Sequence, residues 1–141
     1  MAAGKNPNVV FVGQMYMFHH SALQEGEIVF AKEPIITYTG PLGIVQLLET
    51  PLLNLIGFAS LVATNASRMT KAASDKTCFE FGIRRAQGHD GALSASHYSY
   101  LGGFSGTSNL EASIKLGIPC EGTMSHAFIT SFSSLSQVQH F

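Results

Sequence analysis

The second half of the chain alternates between the hydrophobic patterns of strands and of helices. Alternating apolar residues over 78–85 predict a strand. The residues that follow, up to 101, predict a helix capped by Asp90 and ended by Gly102-Gly103. The pattern then repeats, with a short strand at Phe104, a helix over 109–116, a strand over 118–122 and a last helix after the turn 123–126. Strands that alternate with helices at this spacing form parallel sheets covered by helices, so the sequence predicts an α/β fold.

The first half of the chain has a weaker pattern. Residues 1–24 show no sustained period and are predicted to be irregular. Residues 27–31 and 34–39 are rich in β-branched and aromatic side chains, and we predict two short strands broken at Pro34. At the other end of the chain, residues 133–141 are rich in Ser and Gln and are predicted to form a polar tail.

Residues 50–67 contain no charged side chain and therefore imitate a membrane span. A span needs about 20 predominantly apolar residues, whereas this segment contains Pro51 and Asn65. Its apolar and small residues recur every three or four positions, which is typical of one buried helix face. We therefore predict a core helix over residues 50–72, capped by Thr50 and packed on a sheet, and we expect no membrane association.

Charged residues are few in this chain. They make up 12% of the residues and give a net charge of -1, against roughly 25% charged residues in an ordinary soluble domain. A chain without a basic surface has no electrostatic basis for binding nucleic acid. The low charge predicts either that a partner covers much of the surface or that the chain is cut from a larger protein.

The cysteine and histidine positions favour neither a disulfide framework nor a metal site. Cys78 and Cys120 form no CxxC pair, which favours a reduced, cytosolic setting, although one disulfide stays open. Cys120 lies in the apolar strand predicted over 118–122, so we expect a buried and inert thiol. The histidines and cysteines do not fall at metal-ligand spacings, and we expect no metal site.

Polar side chains follow three of the predicted strands. Arg84-Arg85 ends the first strand, Gly106-Thr107-Ser108 follows the second, and the segment from Thr123 to His126 follows the third. Because ligands gather at the carboxyl ends of parallel strands, we predict that these three loops form one binding site. An arginine in such a place can clamp a carboxylate or phosphate. Hydroxyl and N–H groups at a helix start also favour an anion.

Each of these loops also has a purely structural interpretation. The two arginines can form salt bridges with Glu80 or Glu111. Thr107 or Ser108 can be the ordinary cap of the next helix. His126 can be a proton shuttle or a nucleophile toward a phosphoryl group, or it can be a helix cap or a hydrogen-bonded surface residue. The spacing of these residues leaves the alternatives open.

Several long motifs of the chain closely resemble nicotinate phosphoribosyltransferases. They are VQLLETPLLN at 45–54, ASLVATNA at 59–66, FGIRRAQG at 81–88 and SYLGGF at 99–104, together with Gly122-Thr123 and His126. The resemblance runs from about His20 to Phe132 without a large gap. It is specific, because the motifs are long, ordered and contiguous.

The resemblance implies a fold and an activity. The fold would be part of an N-terminal domain followed by a partial, irregular α/β barrel of the type II phosphoribosyltransferases. The activity would be the ATP-assisted transfer of nicotinate onto phosphoribosyl pyrophosphate, which gives nicotinate mononucleotide and pyrophosphate in NAD salvage. ATP and Mg²⁺ would act as co-substrates, with no tightly bound cofactor. The family implies a homodimer in the cytosol.

The resemblance also implies roles for four residues. The histidine at the position of His126 is phosphorylated by ATP in the family, and the threonine at Thr123 contacts nicotinate. Arg84 should lie near the base or its carboxylate. Ser108 stands where the related nicotinamide enzymes carry an aspartate, which would repel an anionic base. The histidine is flanked by Ser125 and an alanine, where the family order is alanine and then serine.

The extent of the resemblance suggests the organisation of the chain. We expect an unmatched segment over 1–24, a partial phosphoribosyltransferase domain over 25–132 and a tail over 133–141. Family members are considerably longer, so the chain is predicted to be a fragment with little activity of its own. An alternative function is that of a catalytically incomplete remnant that acts only through interactions or regulation. A further alternative is a related phosphoribosyltransferase that uses nicotinamide or quinolinate.

Overall fold

The computed structural model describes residues 9–13, 19–134 and 136. In chain order its elements are β1 (Val9–Gly13), β2 (His19–Ala22), β3 (Ile36–Gly40), α1 (Leu42–Ala73), β4 (Phe79–Glu80), a 3₁₀ turn (Ile83–Arg85), α2 (Gly88–Leu101), β5 (Gly106–Thr107), α3 (Leu110–Leu116) and α4 (His126–Thr130). The strands form one three-stranded and one two-stranded sheet. The predicted mixture of helix and strand is confirmed, but the described residues show no barrel.

The three-stranded sheet has the order β1-β3-β2. Its central strand β3 pairs with β1 in parallel and with β2 in antiparallel orientation. The predicted strand over 34–39 is therefore confirmed as β3, whereas the prediction of an irregular segment over 1–24 is wrong at β1 and β2. Strand β1 carries a local signal, the β-branched and aromatic run at residues 9–12, which the prediction overlooked, whereas β2 is defined by its pairing with β3. Residues 1–8 and 14–18 of that segment lie outside the described residues.

The strand predicted over residues 27–31 does not form. The chain turns back here instead, because the Glu33 N–H donates to the Phe30 carbonyl oxygen at 3.2 Å and the Phe30 N–H donates to the Glu33 carboxylate at 2.8 Å. Between them Lys32 adopts a left-handed backbone conformation, with φ of 73°. The aromatic and β-branched residues of this segment therefore lie in a turn, where the large side chains of Ile28 and Phe30 are exposed.

Helix α1 begins eight residues earlier than the predicted helix over residues 50–72. Pro41 precedes it, and Thr50 and Pro51 lie inside it rather than at its start. The physical reason is the burial of Val45, which packs against a cluster made by Ile36 and Tyr38 of β3 and by Leu52, Leu53 and Ile56 of α1 itself. The first turns of α1 are thus held by contact with the sheet.

Several large apolar side chains of α1 are exposed in the described part of the chain. Leu55 is 64% and Leu61 61% exposed, so the expectation of a core helix is wrong for these positions. By length and composition α1 is long and apolar enough to cross a membrane, a test that core helices of soluble proteins also pass. The expectation of no membrane association stays a prediction.

Helices α1 and α2 cross where their backbones approach closely. Gly102 ends α2, and a Cβ atom at this position would overlap the Ala63 carbonyl oxygen and lie 2.7 Å from the Ala66 Cβ atom. Ala66 and Ala92 are both buried. The small residues of the two helices therefore permit a contact that any larger side chain at Gly102 would prevent.

The two-stranded sheet and helices α2 to α4 correspond to the predicted alternation of strands and helices. Strands β4 and β5 pair in parallel, and Cys120 adds an isolated parallel bridge to Thr107. The predicted strands over 78–85 and 118–122 are thus much shorter than expected, and the strand predicted at Phe104 lies two residues later. The predicted ends of α2 and α3 are confirmed, but Asp90 lies in the first turn of α2 and not at its cap, which is Gln87.

Candidate functional site

The three predicted loops leave the small parallel sheet at one edge. Glu80 is paired with Thr107, and Thr107 with Cys120, all in parallel orientation. The residues that follow these three positions are the 3₁₀ turn with Arg84, then Ser108, and then the segment that leads to α4. The backbone therefore directs the three loops toward the same side of the fold, as the alternation of strands and helices predicts.

The two arginines lie on the 3₁₀ turn Ile83–Arg85. The turn closes when the Arg85 N–H donates to the Gly82 carbonyl oxygen at 3.0 Å, and both arginine side chains are exposed. The structural alternative of salt bridges with Glu80 or Glu111 is wrong in the described part of the chain, because both carboxylates have other partners. The guanidinium groups are therefore turned to solvent, where an anionic ligand can reach them.

Ser108 is half-buried at the end of β5. Its N–H donates to the Glu80 carbonyl oxygen at 2.9 Å, which holds the loop against β4. The cap of α3 is Asn109, whose Oδ1 accepts the Ala112 N–H at 3.3 Å. The alternative that Thr107 or Ser108 caps α3 is therefore wrong. The Ser108 hydroxyl is left outside the cap.

His126 is the first residue of α4 and is exposed, as is Thr123. Ser125 is the cap of α4, because its Oγ accepts the Phe128 N–H at 3.2 Å. The interpretation of His126 as a cap is thus wrong, and the serine that departs from the family order has a structural role. Within the described residues, no hydrogen bond or ion pair joins His126, Thr123, Arg84 and Ser108 to one another.

The sequence reasoning missed the buried polar cluster behind these loops. The Glu80 carboxylate accepts the Thr107 hydroxyl at 2.7 Å, the Ser96 hydroxyl at 2.8 Å and the Gly82 N–H. Thr107 is 0% and Ser96 1% exposed. The sequence signal for this cluster is the single glutamate between Phe79 and Phe81. In a strand its side chain lies on the face opposite to the two aromatic side chains.

Asn109 completes this cluster. Its Nδ2 donates to the Ser96 Oγ at 3.1 Å, and its N–H donates to the Thr107 Oγ1 at 3.0 Å. No buried side-chain nitrogen or oxygen of the described residues lacks a hydrogen-bond partner. A fully satisfied polar cluster of this kind fixes the positions of the segments that it joins.

A second set of charges connects the start of α2 to α3. The His89 Nε2 lies 3.2 Å from the Glu111 Oε2, and Lys115 forms an ion pair with the same carboxylate. The hydrogen bond from Lys115 lowers the pKa of Glu111, and the same bond raises the pKa of Lys115. Glu111 is thus paired with His89 and Lys115 and, among the described residues, forms no salt bridge with the arginines of the candidate site.

The cysteines differ from expectation in one respect. Both are free thiols, and Cys120 is exposed rather than buried, because only a single bridge of the predicted strand forms around it. Among the described residues no cluster of three or more His, Cys, Asp or Glu side chains could hold a metal ion.

An open groove of about 400 Å³ lies on another part of the surface. It runs between α1 and the turn before β3 and is lined by Ile35, Ile56, Leu61 and Arg68 among others. None of the predicted site residues lines it. The groove is therefore distinct from the sheet edge that carries the three loops.

Comparison with known proteins gives the class of the relatives: those that match this chain are named as phosphoribosyltransferases. No protein-family model matches the chain. The particular relatives are nicotinate phosphoribosyltransferase 2 of Arabidopsis thaliana, 57% identical over 118 residues, and the nicotinate phosphoribosyltransferase of Homo sapiens, 55% identical over 113 residues. These matches cover 83% and 79% of this chain, and 21% of each relative.

A solved structure agrees with the sequence comparison. The crystal structure of human nicotinic acid phosphoribosyltransferase superposes with a TM-score of 0.76 at 54% identity. The superposition covers 81% of this chain and 23% of the human chain. The resemblance to nicotinate phosphoribosyltransferases is thus confirmed as a partial match, and the chain spans about a fifth of the length of these relatives.

Proposed function

We propose that this chain forms part of the base-binding site of a nicotinate phosphoribosyltransferase. The reaction would join nicotinate to phosphoribosyl pyrophosphate and release nicotinate mononucleotide and pyrophosphate. The observation that carries the proposal is the identity of 52–58% with enzymes of this name over about four fifths of the chain. A match of 118 residues in a chain of 141 must include Arg84 and Ser108, wherever it begins.

Arg84 and Ser108 are proposed to select nicotinate by its charge. The guanidinium of Arg84 is exposed at the sheet edge and can bind the carboxylate of the base in bidentate fashion. Ser108 follows the neighbouring strand and brings no negative charge to this edge. Thr123, on the third loop, is proposed to contact the base as well. This set of groups favours an anionic pyridine over the neutral nicotinamide.

His126 is proposed to accept a phosphoryl group from ATP. A bond forms between an imidazole nitrogen and the γ-phosphorus, the bond from that phosphorus to the bridging oxygen breaks, and ADP leaves with its electron pair. ATP and Mg²⁺ act as co-substrates in this step. The exposed place of His126 at the start of α4 supports the proposal. For the complete enzyme we also propose a homodimer in the cytosol, on the resemblance alone.

Binding of the base tests the proposed site directly. Nicotinate and nicotinamide are titrated into the ¹⁵N-labelled chain, and the Ser108 amide and the Arg84 Nε–H resonances are followed. We expect shifts with nicotinate but not with nicotinamide, and we expect Arg84→Gln to abolish them. Arg68→Gln, a matched change of an exposed arginine on α1, should bind like the unchanged chain. Equal responses to the two bases would contradict the proposed selection by charge.

Phosphorylation of His126 is tested with ATP labelled at the γ-phosphate. We expect acid-labile label on the chain, its loss in His126→Ala, and its retention in His89→Ala, which removes another exposed histidine. Label that persists in His126→Ala would assign the acceptor to a different residue.

The second candidate function is that of a catalytically incomplete remnant that acts through interactions. It is favoured by the exposed apolar side chains of α1 and by a match that covers about a fifth of the relatives. Turnover of phosphoribosyl pyrophosphate by the purified 141 residues would exclude this alternative. Failure to co-elute with a full-length nicotinate phosphoribosyltransferase would contradict the remnant function, whereas absence of turnover is expected under both functions.

A further inference from the structure

The Glu80 carboxylate joins two loops of the candidate site to the rest of the fold. Three donors converge on its two oxygens: the Gly82 N–H on Oε1, and the hydroxyls of Ser96 and Thr107 on Oε2. Ser96 belongs to α2 and Thr107 to β5, so one side chain connects three separate segments. The backbone of Glu80 adds a fourth bond, because its carbonyl oxygen accepts the Ser108 N–H.

These bonds end next to the residues proposed to bind the base. Gly82 directly precedes the turn that carries Arg84, and Thr107 directly precedes Ser108. We infer that Glu80 is a positioning residue, whose carboxylate sets the location of the Arg84 turn relative to the Ser108 loop. The inference rests on the proposed function for what the loops bind, but the geometry of the loops can be tested independently.

The hydrogen-bond directions favour a carboxylate over an amide. The Thr107 Oγ1 accepts the Asn109 N–H at 3.0 Å, and the Ser96 Oγ accepts an Asn109 Nδ2 proton at 3.1 Å. Both hydroxyls can therefore direct their own protons at Glu80, as the Gly82 N–H does. In a Glu80→Gln variant the amide NH₂ must face either Gly82 or the two hydroxyls. With the NH₂ toward Gly82, the Gly82 N–H loses its acceptor. With the NH₂ toward the hydroxyls, the Ser96 proton must turn to the Ala92 carbonyl oxygen at 3.0 Å and the Thr107 proton to the Ser96 Oγ at 3.3 Å, so both hydroxyls give up their bonds to a carboxylate.

Gly82 gives independent support for this arrangement. A Cβ atom at Gly82 would lie 2.9 Å from the Glu80 Oε1 atom, closer than an ordinary van der Waals contact. The backbone conformation at Gly82, with φ of -104°, is open to other residues. The glycine thus leaves room for the carboxylate in its observed position and is not required by the turn itself.

The test is amide hydrogen exchange of the ¹⁵N-labelled 141-residue chain, read by NMR. In Glu80→Gln we expect exchange at Gly82 and Ser108 to accelerate by about tenfold or more, the factor for loss of one hydrogen bond. The amide of Ala66 in α1 should keep its rate. The matched control, Glu25→Gln, changes an exposed carboxylate and should leave all three rates unaltered. Unchanged rates at Gly82 and Ser108, or equal acceleration at Ala66, would overturn the positioning role.

Two further variants keep the test decisive if Glu80→Gln does not fold. Glu80→Asp retains the charge but withdraws the carboxylate by one methylene, and Ser96→Ala removes one donor while leaving both loops intact. We expect faster exchange at Gly82 and Ser108 in Glu80→Asp and a smaller effect in Ser96→Ala. The same rates in Glu80→Asp as in the unchanged chain would contradict the inference.

Nicotinate titration separates this inference from the proposed function. If the unchanged chain binds nicotinate, we expect the affinity of Glu80→Gln to fall by about tenfold, because the two loops are no longer held at one separation. Equal affinity in a folded Glu80→Gln variant would refute the positioning role and leave the proposed function standing. If the unchanged chain does not respond to nicotinate, the proposed base site fails, while the exchange rates still decide the role of Glu80.

Discussion

The close contact of α1 and α2 at Gly102 leads to a prediction that a second glycine of α1 can control. In Gly102→Ala the new Cβ atom would overlap the Ala63 carbonyl oxygen and lie 2.7 Å from the Ala66 Cβ atom. Ordinary carbon–carbon contacts are roughly 3.5–4.0 Å long, so α1 and α2 must separate by about 1 Å. Overpacking of this kind costs about 1–3 kcal/mol. The backbone angles of Gly102, φ -76° and ψ 2°, suit alanine, so no additional backbone strain arises.

The unfolded chain offsets part of this loss. Replacing glycine by alanine removes conformational freedom from the unfolded state and stabilises the fold by about 0.4–1 kcal/mol. We therefore expect Gly102→Ala to lower the free energy of unfolding by about 1–2 kcal/mol. With a urea slope of about 2 kcal/mol per molar, the unfolding midpoint should fall by about 0.5–1 M.

The same substitution at Gly57 should have the opposite effect. Gly57 lies on the exposed side of α1, and a Cβ atom there meets nothing within 4 Å. Alanine is favoured over glycine in a helix interior by about 1 kcal/mol, so Gly57→Ala should raise the unfolding midpoint. Both variants are measured by urea titration of the circular dichroism signal at 222 nm. If Gly102→Ala proves as stable as Gly57→Ala, the close crossing of α1 and α2 is incorrect.

Three further predictions concern the remaining elements. Asn109→Ala removes the cap of α3 and a hydrogen bond to Ser96 of the buried cluster, and it should lower the free energy of unfolding in urea by about 1–3 kcal/mol. The control Asn54→Ala, at an exposed position of α1, should leave this free energy nearly unchanged. The hydrogen bond from Lys115 lowers the pKa of Glu111 in the folded chain. The ionised Glu111 carboxylate therefore stabilises the fold at pH values above its ordinary pKa of 4.5, and this stabilisation is lost as the pH falls through the folded-state pKa. The melting temperature of Glu111→Gln should therefore converge with that of the unchanged chain in acid, and an equal difference at every pH would contradict this linkage. Pro51→Ala supplies the N–H that α1 lacks and should increase both helicity and the urea midpoint, and a decrease would show that α1 depends on a proline bend.

The elements that could be predicted from the sequence are those with local signals. The bounds of helix α3 agree with the prediction within one residue, because Gly117, with φ of 69°, ends it, although its cap is Asn109 and not Thr107 or Ser108. The order of the three loops followed from the alternation of strands and helices. The start of α1 could not be predicted, because it depends on the contact of Val45 with a distant strand. Strand β2 likewise exists through pairing, whereas β1 has a local signal in its β-branched and aromatic residues that the prediction overlooked.

The candidate site was predictable in part for the same reason. The exposed residues Arg84 and His126 follow strand ends and could be found by position. Glu80 could not, because its partners Ser96 and Thr107 lie 16 and 27 residues away along the chain. Which hydroxyls converge on one carboxylate is decided by how α2 packs on the sheet. The chemistry assigned to the exposed residues came from the resemblance rather than from spacing.

The isolated bridge at Cys120 has a practical consequence for measurements on this protein. Since only one bridge forms at Cys120, its thiol is exposed three residues before Thr123, while Cys78 is half-buried. The chain contains no tryptophan that could report ligand binding by intrinsic fluorescence. A maleimide dye should react with Cys120 first and place an environment-sensitive reporter beside the third loop. The unmodified sequence thereby supplies its own labelling position for fluorescence studies of this loop.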